Sequence, residues 1–220
     1  MALAYRVSAL LLASGLFHVV VFLVDGGPWE GPVSWRKPIT FGLSFGLTLA
    51  TYAWVAGLLR ARPAFTRLFT AVSVLEVGLI TLQAWRGVPS HFNEATTFDT
   101  VVTRLLTVGG ITIVVCVVAL AVAAFRAEHL TPSMTWAVRV GTATFLLAMA
   151  SGGLMVAERG GSWKLSHGVA MHGVLLLPLF AWALGFTSWD ERRRTRAVRV
   201  ASGGYLALVA GAVALNAVLR

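Results

Sequence analysis

Residues 105–125 read LLTVGGITIVVCVVALAVAAF, an uncharged run bounded by Arg104 and Arg126. Coiled as an α-helix at about 1.5 Å per residue, this run is about 30 Å long, the thickness of a bilayer's hydrocarbon core. A helix apolar on every side belongs in lipid or in a large protein core. Outward from this run, six further stretches share its character, at approximately residues 7–24, 39–59, 68–85, 138–157, 168–187 and 200–219. The pattern predicts an all-α, polytopic bundle of seven transmembrane helices forming one domain over residues 1–220. Composition points the same way: 12% of residues are charged and 57% hydrophobic, whereas soluble domains carry about 25% charge. Seven spans use about 140 residues and leave about 80 for tails and loops, too few for an extramembrane domain. Any chemistry must therefore sit in the bundle or its loops.

The first span resembles a signal peptide, with Arg6 ahead of an apolar run. Ala13-Ser14-Gly15 makes a poor cleavage site, however, and the run continues to Val24, so an uncleaved helix is expected. Pro28, Pro32 and Pro38 punctuate the first loop, with Pro38 expected at a helix start; Pro89 and Pro132 mark later loops, and Pro178 predicts a kink in the sixth span. Gly42 and Gly46, with Ser44, Thr48 and Thr51 nearby, are read as a close-packing face rather than a polar conduit.

The net charge of +9 suggests nucleic acid only in a soluble protein; here the positive-inside effect explains it, and no nucleic-acid partner is expected. Eleven of the 18 Lys and Arg residues fall on the side of Arg6, including Arg192 to Arg199, and seven on the other, ending with Arg220. The excess places the N-terminus in the cytoplasm and the C-terminus outside, as a multi-pass protein of a cell's inner membrane. The Arg192 to Arg199 run is read as orientation and solvation. Cys116 is the sole cysteine, which excludes a disulfide scaffold and leaves a buried small hydrophobe.

Four of the five histidines, His18, His91, His167 and His172, fall in the outer half of this topology, and only His129 is cytoplasmic. Counting helical rise from Asp25 and from Lys164 puts His18 about 10 Å and His172 about 12 Å below the outer boundary. Imidazoles on separate helices at matched depth are a geometry that binds haem iron or a transition metal. His167 and His172 are five residues apart and so do not share a helix face as an i, i+4 zinc pair does; His167 can join the same centre only from a frayed helix start. Met155 and Met171 are read as packing, with thioether ligation the minor alternative.

Glu76 lies near the bilayer midplane, nine residues from Arg67 and ten from Arg86. An acid there costs several kcal/mol unless protonated, paired or hydrated. Gln83 repeats its face and Arg86 follows, so the third span carries a polar stripe toward the outside; the structural alternative has Glu76 protonated and bonded to Ser44 or Thr48. The loop Trp85-Arg86-Gly87-Val88-Pro89-Ser90-His91-Phe92-Asn93, followed by Asp99 and Arg104, is too rich in turn and hydrogen-bonding residues for a passive hairpin. Most of the eight tryptophans are read as an interfacial belt. Arg36, Lys37, Arg86 and Lys164 are placed to pair with haem propionates or another anion.

The stretch Arg86 to Asn93 with upstream Glu76 and Gln83, and the pair His167-Gly168-Val169-Ala170-Met171-His172, resemble an uncharacterised bacterial family of seven-span integral membrane proteins. The likeness runs over most of the chain, with those two motifs distinctive. Where that family has Phe after the first His and Gly two further on, this chain has Gly168 and Ala170. The resemblance implies a shared fold and no activity.

Two functions compete. One is a haem, copper or zinc site, with His18, His91, His167 and His172 as ligands, outer cations holding propionates, and Glu76 with Gln83 supporting the ligands or forming a proton path; its enzyme form is a membrane oxidoreductase. A hydrolytic variant uses zinc-bound water with Glu76 or Asp99 as proton acceptor. The other is a proton-coupled carrier or channel for a small molecule, using Glu76 and Gln83. A receptor or assembly role without cofactor is third. Retinal photoreception is disfavoured because the seventh span has no lysine.

Overall fold

The computed structural model describes residues 1–159 and 162–218; Arg220, part of the charge count, lies outside the described residues. These form α1 (Ala2–Asp25), α2 (Arg36–Leu58), α3 (Pro63–Trp85), α4 (Thr97–Arg126), α5 (Pro132–Ala157), α6 (Lys164–Met171), α7 (Gly173–Leu184) and α8 (Glu191–Val218), with no strand among the described residues. Six spans are single helices and α6 with α7 makes the remaining one, so seven helical segments are long and apolar enough to cross a bilayer. The protein is a multi-pass membrane protein in contact with lipid. Its exposed surface agrees: Leu10, Phe17 and Leu23 on α1 and Val108, Ile111 and Val115 on α4 project outward, where only hydrocarbon covers them without cost.

Helices overrun the apolar stretches at their polar ends, because backbone hydrogen bonding continues past the hydrocarbon. Pro63 and Pro132 sit at the first helical turn, where a missing N–H is free of cost. Pro38 falls two residues inside α2 rather than at its first residue, still among the four N–H groups that lack a helical partner. The Arg192 to Arg199 run lies on the first turns of α8. There Arg193 and Arg199 cover the rings of Trp189 and Trp136 at 4.1 and 4.9 Å.

Two compact units share the chain, residues 1–57 with 62–116 and residues 58–61 with 117–220. In the first, α1 buries Ala4, Ser8, Leu11, Gly15 and His18, an i, i+4, i+7 stripe of mostly small side chains. Its partner is the Gly42 and Gly46 face of α2. A Cβ on Gly42 would stand 2.7 Å from the Gly15 nitrogen, and one on Gly46 would stand 2.9 Å from the Leu12 nitrogen. The Ser8 hydroxyl donates to the Gly46 carbonyl at 2.6 Å. Close backbone approach is thus what these glycines serve. Lower in the unit Tyr52 stacks on Phe69 at 4.3 Å and donates its hydroxyl to the Cys116 carbonyl at 2.9 Å; Cys116 is buried.

In the second unit α5 packs against α6, α7 and α8. Arg139 caps the end of α4 by donating to the Ala124 and Phe125 carbonyls. The Glu191 carboxylate, at the start of α8, accepts the Ser133 N–H at 2.7 Å. Near the other end of α8, the Asn216 side-chain oxygen accepts both the N–H and the hydroxyl of Ser166. The sixth span is interrupted, but at His172, six residues ahead of Pro178, which sits inside the continuous α7. Packing places the break. A Cβ at Gly141 would meet the Gly173 carbonyl at 2.8 Å, so bare backbone touches bare backbone there, and the Tyr205 hydroxyl donates to the Val169 carbonyl one turn earlier.

Candidate functional site

Glu76 belongs to the buried stripe of α3 that also contains Phe69, Ser73, Ile80 and Gln83, residues three or four apart and so on one face. It is 4% exposed. Its Oε1 atom has no hydrogen-bond partner and lies over Gly109 of α4, where a Cβ would overlap it. Gly109 is therefore the recess that admits the carboxyl. Ser44, one of the two hydroxyls expected to meet Glu76, donates instead to the Phe41 carbonyl at 3.5 Å. Among the described residues no cation is ion-paired with Glu76.

Ile80, one turn along α3, packs with Val102 and Leu106 of α4 in a buried apolar cluster flanked by Phe41 and Leu79. The stripe from Glu76 to Arg86 is thus divided by an apolar layer. Beyond that layer Gln83, fully buried, donates its amide N–H to Asp99 Oδ1 at 2.9 Å. Arg86 donates to the same Asp99 oxygen at 2.5 Å and also to the Gln83 carbonyl oxygen, with its guanidinium 4.6 Å over the Phe98 ring. Thr96 completes the group: its hydroxyl donates to Asp99 Oδ2 at 2.7 Å and accepts the Asp99 N–H at 3.1 Å. That is an N-cap for α4, and Thr96-Thr97-Phe98-Asp99 carries its signature in the sequence. Both Asp99 oxygens are engaged, so the geometry makes Asp99 an anchor between α3 and α4.

At the same end, Lys37 donates to the Pro32 carbonyl at 2.7 Å and to the Ser90 hydroxyl at 3.4 Å. His91 Nδ1 is 2.9 Å from that hydroxyl. Burial, and then the positive charge of Lys37, pull the His91 imidazole down to about pKa 4, so it is neutral at physiological pH. Arg36 pairs with Glu30 at 3.3 Å. His18 is 2% exposed and sits among Phe17, Trp35 and Trp85. Its Nδ1 donates to the Ser14 carbonyl at 2.7 Å and its Nε2 accepts the Trp85 indole N–H at 3.0 Å. A carbonyl only accepts and an indole only donates, so both ring nitrogens are used. To bind a metal, His18 would have to release Trp85. Trp35 in turn donates to Asp25 at 2.6 Å. These indoles, read as an interfacial belt, hold the histidine; nothing local in the sequence marks that.

In the second unit His167 Nδ1 donates to the Ala148 carbonyl at 2.8 Å, and His172 Nδ1 to the Gly168 carbonyl at 2.6 Å. His167 packs against Gly152, and Lys164 opens α6. His129 donates Nε2–H to the Leu58 carbonyl at 2.9 Å, a helix-end contact. Among the described residues no three His, Cys, Asp or Glu side chains form a group that could hold a metal ion. No protein-family model, curated protein or solved structure matches the chain.

Proposed function

We propose that the protein is a proton-coupled carrier or channel for a small solute, with Glu76 as its proton-binding group. One observation carries this reading: a carboxyl sunk in the third span, with an oxygen that has no hydrogen-bond partner, and the apolar Ile80 cluster one turn along the same face toward Gln83. A carboxylate held in lipid-like surroundings without a cation is neutralised by a proton, and releasing that proton requires water or a counter-charge to reach it. The apolar Ile80 layer makes such access from the Gln83 side a conformational event, which is what coupling requires. Gln83, Arg86 and Asp99 tie α3 to α4 at the mouth of the route.

The test is proton entry into proteoliposomes under an imposed potassium diffusion potential, followed with a trapped pH dye. Glu76→Gln keeps size and hydrogen-bonding capacity but cannot ionise, and it is expected to lower the protein-dependent rate about tenfold or more. Wild-type protein without proton movement, or a Gln variant as fast as wild type, overturns the reading.

A second reading is a haem, copper or zinc site of redox function. It is favoured by the tautomers of His167 and His172: each spends its Nδ1–H on a main-chain carbonyl and keeps Nε2 as the lone-pair nitrogen, as ligating histidines do. Purified protein with a Soret band, or with stoichiometric copper or zinc, lost in His167→Ala and His172→Ala, supports it. Colourless, metal-free protein after expression with haem precursor and metals supplied excludes it.

A further inference from the structure

The first turns of α8 gather five arginines, Arg192, Arg193, Arg194, Arg196 and Arg199. At 28 residues the helix is about 42 Å long, about 12 Å more than the hydrocarbon of a bilayer. Its apolar run begins at Val200, so the excess length places these arginines at the depth of the lipid headgroups. Two of them meet indoles, the amphipathic side chains that settle at that depth: Arg193 lies over Trp189 and Arg199 over Trp136 of α5. Such a contact holds a guanidinium in place without neutralising it. The acids beside the arginines serve other groups. Asp190 accepts the Arg193 main-chain N–H, and Glu191 accepts the Ser133 N–H and the Thr195 hydroxyl. Among the described residues no carboxylate is ion-paired with any of the five.

Arg192, Arg196 and Arg199 are spaced by four and three residues and share one helix face. Gly203, Ala207 and Ala210 continue the same face into the span. All six are exposed, and a Cβ at Gly203 would meet nothing within 4 Å. Val200 and Leu206, both exposed, flank this row of small side chains, so a shallow apolar trough runs directly below the cations. We propose that this face of α8, with Trp136 at its edge, binds an anionic phospholipid: the headgroup phosphate on Arg196 and Arg199, an acyl chain along Gly203, Ala207 and Ala210. The positive-inside effect accounts for the sign of the charge at this end, but not for a row of arginines set above small residues on one face. The proposal is independent of the carrier reading, since Glu76 belongs to the other compact unit.

The test is native mass spectrometry of the purified full chain from dodecyl maltoside micelles doped with equal amounts of phosphatidylglycerol and phosphatidylcholine of the same acyl chains. Wild type is expected to retain phosphatidylglycerol about tenfold in preference, and Arg196→Gln with Arg199→Gln to lose that preference. Arg62→Gln with Arg67→Gln removes the same charge from exposed positions at the start of α3 and is expected to retain lipid as wild type does. Gly203→Leu fills the trough where no neighbour stands in the way, so it folds as wild type and weakens retention several-fold with every arginine in place. It decides the matter if the α8 arginine variant does not fold. No preference in wild type, equal loss in the two arginine pairs, or unchanged retention in Gly203→Leu overturns the proposal. Displacement of the lipid by millimolar inorganic phosphate also overturns it, by assigning the arginines to a free anion. A wild-type dimer that Gly203→Leu converts to a monomer overturns it by assigning the face to a second copy of the chain.

Discussion

Gly42→Leu is expected to lower the melting temperature of the detergent-solubilised protein by about 6–12 °C, the equivalent of about 3 kcal/mol in a chain of this size. The neighbours of a Cβ at Gly42 are main-chain atoms of α1: the Gly15 nitrogen at 2.7 Å, its Cα at 2.8 Å and the Leu11 carbonyl oxygen at 3.0 Å. Main chain cannot rotate aside as a side chain can, so the two helices must part. Parting them also stretches the hydrogen bond from Ser8 to the Gly46 carbonyl and opens a gap in a contact that depends on dispersion between closely apposed backbones. Gly78→Ala is the control. Nothing lies within 4 Å of a Cβ there, and alanine is the better helix former by about 1 kcal/mol, so this variant melts at or slightly above wild type. A Gly42→Leu protein that melts with the control would mean that α1 and α2 do not touch along this seam.

The second large effect is expected at Gly109, and it falls on activity as well as stability. Gly109→Ala places a methyl in overlap with Glu76 Oε1 and 3.1 Å from its Cδ, inside contact distance. The carboxyl must leave its recess, beside which Val72 Cγ2, buried on the same helix, already stands 3.4 Å from the new methyl. Overpacking of this kind costs about 1–3 kcal/mol. On the carrier reading proposed above, displacing the Glu76 carboxyl is expected to cut proton movement in proteoliposomes by about tenfold, as in Glu76→Gln. The paired variant Gly109→Ala with Glu76→Ala tests the cause. It is expected to recover most of the lost melting temperature, because the two groups compete for one volume, while remaining inactive. Gly110→Ala, one residue on and with nothing within 4 Å of its Cβ, leaves both readouts unchanged. Equal behaviour of the Gly109 and Gly110 variants would show that no recess at Gly109 holds the carboxyl.

The seven spans are legible because lipid demands long apolar runs, and the run from Leu105 to Phe125 meets that demand with no ambiguity. Glu76 and Gln83 are legible for the complementary reason: a polar side chain repeated after seven residues in such a run falls on one helix face. Their surroundings are another matter. That Gly109 receives Glu76, and that Asp99 meets Gln83, depends on the register of α3 against α4, which neither segment encodes alone. The cap at Thr96 is readable locally, from a threonine three residues before an aspartate, and assigns Asp99 a structural duty that its acidity alone does not suggest. The tryptophans mislead in the opposite sense. Indoles near a membrane boundary fit a belt equally well whether or not one of them, like Trp85, reaches back to a buried imidazole. The interruption at His172 is likewise invisible locally, since Pro178 marks the sixth span while the backbone contact at Gly173 places the break.

The last helix carries an obligation toward parts of the chain made long before it. The Ser133 N–H waits for Glu191, the Ser166 N–H for Asn216 and the Val169 carbonyl for Tyr205, and all three suppliers lie on α8. During synthesis, α5 and α6 are made before the side chains of α8 that receive the Ser133 and Ser166 N–H groups. Helix α8 thus ties together the starts of α5 and α6 in its unit. A chain interrupted before α8 would leave the Ser133 and Ser166 N–H groups without the side chains that receive them, and the unit without the helix that joins the starts of α5 and α6.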